Sequence, residues 1–368
     1  NTLWQGPQGG SVGQHLLFGG LGTLDLNGNS QMVGRFNYQT GFNQEGRITS
    51  AAPATFVANP NGEYFGGVIS GSIAFNANLS SGALTLGSAN TYSGPTIITG
   101  KNTLTLRDAG ALTNTSALDI NYANLTLDNG SASQMNLNDR INDAATVTMR
   151  GSLLQFNGRD NTNTFEKLGV VALAEGLNYI YETNGGGAVR STVLSIGTLV
   201  ANPDASLIFS TGLNGQLGSN MRVVTGNGAG FLVNGVIPWA VAGGGFLSYA
   251  PSDAAGLSGG LAPLESVGFP GYDGTVPSAN LSTQNIKLAS GSYTFAALGN
   301  ASVGGTYALN SLAVIRSASG QNLSFANNND TLNLTSGGLF MNGGSGSNFT
   351  GSVGSQSGNG ILTAGGTQ

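Results

Sequence analysis

The sequence has no cysteine, one histidine, and only 8% Asp, Glu, Lys and Arg among 368 residues. Without thiols there is no disulfide staple, thiolate metal site or cysteine nucleophile, and the single imidazole, His15, excludes a two-histidine metal site within one chain. The 12 basic residues are scattered and the formal net charge is -5, so nothing offers a footprint for a phosphate backbone and nucleic acid is not an expected partner. No run of about 18 apolar residues could cross a bilayer as a helix. Helical spacings of three and four are missing as well, outside a short stretch near Glu166 to Glu175, so little or no α-helix is expected.

Glycine is abundant instead, at 61 residues, and hydrophobic residues make up 39%. That is more than twice the usual glycine share of about 7%, with enough apolar material for a core, so the chain is not of the disordered, highly charged kind. Short alternating apolar pairs recur at Leu84/Leu86, Leu104/Leu106, Leu125/Leu127 and Val147/Met149, at steps of about 20, 21 and 22 residues. A second series runs half a period out of phase through Ile98, Leu118/Ile120 and Ile141, with turn-forming runs such as Gly87-Ser88-Ala89-Asn90 between. Antiparallel hairpins keep no such phase, whereas a solenoid holds equivalent residues in register coil after coil. The expectation is an all-β, right-handed parallel β-helix of about 20–24 residues per coil, continuous over residues 1–368. At about 4.8 Å per coil, roughly 17 coils would give an elongated rod of about 80 Å. Asparagine is expected at the corners, where it tolerates left-handed backbone and can bond to another Asn one coil away.

The segment Leu84–Leu106, LTLGSANTYSGPTIITGKNTLTL, resembles the passenger-associated transport repeat of bacterial autotransporters. Leu84, Leu86, Asn90, Thr91, Tyr92, Gly94, Thr96, Gly100, Leu104 and Leu106 fit the family pattern, and Pro95 departs from it where Gly is common. The run Ala117–Phe156 looks like the usual continuation of such passengers. The resemblance implies a β-helix displayed outside a bacterial cell. The chain starts at Asn1 without an initiator Met and ends Gly365-Gly366-Thr367-Gln368 without the aromatic-ended strands of a translocator barrel. We therefore expect an interior piece of a longer protein. Asn1-Thr2-Leu3-Trp4 and Gly360-Ile361-Leu362-Thr363 read as strands awaiting a neighbour, not polar caps, which points to end-to-end stacking into a fibre.

Between residues 236 and 277 the phase is lost, and Pro238, Pro251, Pro263, Pro270 and Pro277 fall there. This irregular insertion carries Trp239, Phe246, Tyr249, Phe269 and Tyr272, with Asp253, Glu265 and Asp273 among them. Exposed aromatics beside carboxylates suit protein contacts or sugar stacking, while the plainer reading has them folding down over the solenoid. Similar Ile-Pro-Trp-Ala runs in large passengers favour that plainer reading.

A parallel β-helix also hosts polysaccharide lyases and glycosidases, which need two converging carboxylates. Asp119, Asp139 and Asp160 have the spacing to stack on successive coils and are the weak candidates for calcium or catalysis; Arg140 and Arg159 beside two of them point to surface ion pairs instead. Gly343–Asn348 echoes a calcium-binding nonapeptide but has Asn where Asp is needed, and Gly226–Gly230 lacks the Lys of a phosphate loop. No nucleophile accompanies His15 beyond Ser11, four residues earlier. The expected function is a non-catalytic, extracellular structural or adhesive segment without cofactors, whose partners are copies of itself, flanking repeats or surface glycans. A polysaccharide-acting enzyme and a carbohydrate-binding adhesin are the alternatives.

Overall fold

The computed structural model describes residues 15–16, 18, 22–36, 46–184, 191–212, 216–252, 258–274, 281–288, 293–294, 306–315, 323–325, 330–342 and 360–364. It is all-β, a parallel β-solenoid of about 10 turns at roughly 26 residues per coil, with a short 3-10 turn at Gly228–Phe231. The chain divides into two compact units, Asn1–Asn227 with Ser252–Ser258, and Gly228–Pro251 with Gly259–Gln368.

In the first unit, apolar residues one coil apart lie directly over one another. Leu84, Leu104, Leu125, Leu154, Ile180 and Phe209 form one such column in parallel register. Phe56, Phe75, Thr96, Leu118, Val147, Val171 and Leu199 form a second on another face. These side chains are almost wholly removed from water, and each Leu, Ile, Val or Phe so buried contributes about 1.5–3 kcal/mol.

The repeat was legible, but its phase was not carried through. Val147/Met149 continue Leu118/Ile120, and it is Leu154/Phe156 that continue Leu125/Leu127. Ile141 belongs to a third position, bridged to Leu112, which in turn pairs with Asn90. The cause is a long arc between the strands Asn124–Asp128 and Thr146–Arg150. Hydrogen bonds between neighbouring coils span 21 residues at Asn90, 29 at Asp128 and 28 at Asn227, so the coil outgrows the expected 20–24.

The residues of the Asn-Thr-Tyr signature hold the coils together. Asn90 is fully buried; its Oδ1 accepts the Ile69 amide at 2.9 Å and its Nδ2 donates to the Ser88 carbonyl at 2.8 Å. Tyr92 lies edge-on to Phe75, 5.9 Å between ring centres, and its hydroxyl shares a 2.5 Å hydrogen bond with Thr96, which is bonded to Thr115 at 2.9 Å.

Glycine serves two distinct needs. At one corner, Gly100, Tyr122, Gly151 and Gly176 follow strands in register and all have left-handed φ, at 87°, 48°, 52° and 70°. At another place crowding decides: a Cβ on Gly169 would stand 1.9 Å from the Asp143 carbonyl oxygen, one on Gly197 2.7 Å from that of Gly169, and one on Gly226 2.5 Å from that of Gly197.

The second unit has parallel strands Leu281–Leu288, Thr306–Ile315, Thr331–Asn342 and Ile361–Ala364 in one sheet. Ile286, Leu309, Leu312 and Leu332 are among its buried core. The irregular segment of the sequence is an ordered antiparallel meander here, Ile237–Ala242, Gly245–Ala250 and Gly260–Pro263. Turn glycines at 243 and 244, with φ of 57° and 96°, reverse the chain between its first two strands.

Candidate functional site

Of the five aromatics expected to offer a contact surface, Trp239, Phe246, Tyr249 and Tyr272 pack within their own unit. Phe246 is only 1% exposed and clusters with Val236, Leu264 and Ala313, its ring 6.2 Å from that of Phe340. It is therefore not a surface contact: on a paired strand its side chain falls on the inward side. Trp239 is half-buried and meets Phe231 edge-on at 5.2 Å. The Tyr249 ring rests on Gly228, where a Cβ would come within 2.3 Å. Tyr272 accepts the Phe246 amide at 3.0 Å and lies under Lys287, 5.6 Å from nitrogen to ring centre; burial pushes its hydroxyl up to about 12. Phe269 is half-buried in the turn that follows the meander.

An asparagine network fastens this segment to the coils of the same unit. Asn310 donates to the Asn285 Oδ1 at 2.7 Å and to the Val233 carbonyl at 2.8 Å, accepting from Asn234 at 3.0 Å. Asn285 donates to the Asn234 carbonyl at 2.7 Å, and its Oδ1 also accepts the Ser311 hydroxyl at 2.7 Å. The expected amide-to-amide bond between coils thus occurs at Asn285 and Asn310, while Asn90 and Asn178 bond to backbone, both of their own turn and of the preceding coil.

The three aspartates do not stack on one another. Asp119 has Ile97 and Thr148 as its strand neighbours and pairs with Arg150 at 3.4 Å. Asp139 is exposed in the long arc with φ 65°, and Asp160 stands in the turn after Leu153–Gly158. Asp119 is thus in mid-strand, on a different part of the coil from the connections that hold the other two. Asp139 has a raised carboxyl, through burial and then the charge of Asp143, which is itself bound by Lys167. The expected surface pairing of Arg140 is also replaced. Arg140 is fully buried, donating to the Gly110 carbonyl at 2.5 Å, the Asp128 carbonyl at 3.0 Å and the Asn129 Oδ1 at 2.7 Å. Arg159 donates to the Ser133 carbonyl at 3.0 Å. Ser11, Asp253, Pro277 and the Gly343–Asn348 motif lie outside the described residues, as does the side chain of His15.

Two carboxyls that sequence reasoning passed over are the most perturbed. Glu166, 0% exposed, accepts the Arg140 amide on both oxygens, at 3.0 and 2.9 Å, and the Ile141 amide at 3.0 Å. It thereby closes the long arc from the next coil. Burial raises its pKa to about 8 despite these donors and the charge of Arg140. Glu182 follows Leu86, Leu106, Leu127 and Phe156 in one column, where the preceding coils place a hydrocarbon and the next one Thr211. It too is 0% exposed and is raised to about 8 by burial, offset in part by the Leu194 amide and Arg222. No described donor comes within full hydrogen-bonding geometry of either oxygen. The signal was available: Glu182 follows Ile180 by two in the last part of its strand, where Asn178 and Ile180 at even positions face inward.

These groups are structural in their contacts. Glu166 and Arg140 satisfy backbone, and Glu182 is sealed in the core. Among the described residues no group of three or more His, Asp or Glu is placed to hold a metal ion. No family model, no curated protein and no solved structure matches the chain.

Proposed function

We propose that this chain is a non-catalytic structural and adhesive β-solenoid segment of a secreted or surface-displayed bacterial protein, extended by further coils stacked end to end. The observation that carries the reading is the strand Ile361–Ala364. It pairs in parallel register with Thr331–Leu334 and, among the described residues, with nothing on its other edge. Its Ile361 and Leu362 are 47% and 45% exposed. An unprotected edge with apolar side chains is a template for one more strand, and a coil of the same parallel construction satisfies both its backbone and its side chains. With only 8% charged residues, little repulsion opposes the approach of such neighbours. The likeness of Leu84–Leu106 to the autotransporter passenger repeat supports the extracellular placement. The engagement of Asp119 by Arg150 and of Asp143 by Lys167, with Glu166 and Glu182 buried, supports a role without catalysis.

Negative-stain electron microscopy with sedimentation velocity tests this. The purified chain is expected to form linear assemblies, and Leu362→Lys, which puts a charge on the open edge, is expected to shorten them. A chain that stays monomeric at high concentration, or assemblies indifferent to Leu362→Lys, would overturn the end-to-end reading.

A further inference from the structure

On the first unit, the outward side chains of three adjacent strands make a flat, uncharged, aromatic face. The strands are Leu153–Gly158, the 176–184 portion of Thr164–Asn184, and Ala205–Thr211. Their parallel register runs without a shift, so Leu153, Tyr179 and Ile208 form one outward row and Gln155, Tyr181 and Ser210 the next. Leu177 and Tyr179 are 43% and 38% exposed. Rows follow each other at about 6.6–6.8 Å along the strands and coils at about 4.8 Å, giving a platform of roughly 10 by 13 Å. Tyr181 has room to lean toward the next coil because residue 212 is glycine; a Cβ there would stand 3.1 Å from the Tyr181 hydroxyl.

We propose that this face binds a neutral, extended, β-linked polysaccharide. Three features select that partner. No outward residue in these rows is charged, so neither a polyanion nor a polycation finds its counter-charge, whereas an uncharged polymer leaves no ion stranded. Tyrosine offers an apolar ring with a hydrogen-bonding tip, matching a sugar ring that is apolar on its faces and hydroxylated at its rim. The adjoining Gln155 amide and Ser210 hydroxyl donate and accept at the same level. A flat face fits a flat ribbon, and continuity of the rows over several coils fits a chain of repeating units. A second copy of this chain is less well matched, because polar Gln155 and Ser210 interrupt the apolar surface that self-association interfaces concentrate at their centre. The inference rests on the geometry of the coils and is independent of end-to-end assembly.

The test is depletion of the purified full chain by microcrystalline cellulose and by chitin, with polygalacturonate as the charged comparison. Retention is expected on a neutral polymer and should survive added salt, since no ion pair contributes. The variant Tyr179→Ala/Tyr181→Ala is expected to weaken retention about tenfold or more with an unchanged thermal midpoint, and Tyr179→Phe to keep most of it. The proposal is overturned if neither neutral polymer retains the chain, if the double variant binds as well as the parent, or if sedimentation shows the double variant separating a dimer into monomers. That last result would put a second copy on the face. Monomeric chains that still bind would leave this inference standing while removing the end-to-end one.

Discussion

Glu182→Gln, followed across pH, tests the most unusual burial in the molecule. The carboxyl is buried between Phe156 and Thr211 of the adjoining coils, and its pKa rises from an ordinary 4.5 to about 8 in the folded chain. The folded state therefore holds a proton that the unfolded state has released over the whole interval between those values. Stability is then fully present below the unfolded pKa and is lost as pH rises through the folded one. Each pH unit inside the window removes roughly 1.4 kcal/mol per group, so Glu182 alone costs about 2–3 kcal/mol between pH 5.5 and 7.5. Glu166, also raised to about 8, has the same sign, and the two together act on a total stability of about 5–15 kcal/mol. Urea unfolding monitored by far-ultraviolet circular dichroism should show the parent less stable at pH 7.5 than at 5.5. Glutamine has nearly the same shape and no proton to lose, so the variant should show about half that dependence and exceed the parent at the higher pH. The alternative is that Glu182 is ionised and compensated by Arg222, which is 7% exposed. In that case Glu182→Gln would strand the guanidinium and lower stability at every pH, and the reasoning would be refuted.

Two further substitutions probe the packing. Gly169→Ala forces a Cβ against a backbone carbonyl of the preceding coil, and is expected to cost at least about 1–3 kcal/mol by thermal or urea unfolding; Gly230→Ala, with nothing within 4 Å of the added carbon, should stay within about 0.5 kcal/mol. Arg140→Ala takes its donors from the buried Gly110 and Asp128 carbonyls and leaves Asn129 Oδ1 with the Leu137 amide alone, and about 3–5 kcal/mol should be lost, with hydrogen exchange rising first in the 129–145 arc.

The solenoid was legible in the sequence because the core columns are built from like residues. Leu84, Leu104 and Leu125 announce themselves by spacing, and the structure stacks them. The face on which Val147 lands was not legible, since a Leu-x-Leu or Val-x-Met doublet carries no mark of which side of the coil it belongs to. Only the length of the intervening arc decides, and Asn129–Ala145 has no periodicity to reveal its path. The same lengthening separated Asp119, Asp139 and Asp160, whose alignment relied on a constant step. The meander was read as irregular because its prolines and glycines mask short strands that pair antiparallel, with the register shift seen between Ile237 and Val241. Glu182 was missed for another reason: composition arguments treat a carboxylate as a surface residue, and only its place in the inward alternation shows otherwise.

The corner occupied in turn by Gly100, Tyr122, Gly151 and Gly176 has a bearing on how this architecture can change. A left-handed residue turns the chain from one core strand into the next there in coil after coil, so an added residue would throw the following strand out of register, while the arc after Asp128 has already absorbed many. Peptide tags or grafted loops should consequently be accepted around residues 130–137 or 159–163 and rejected at that hinge, so growth in length is channelled to one side of the spiral.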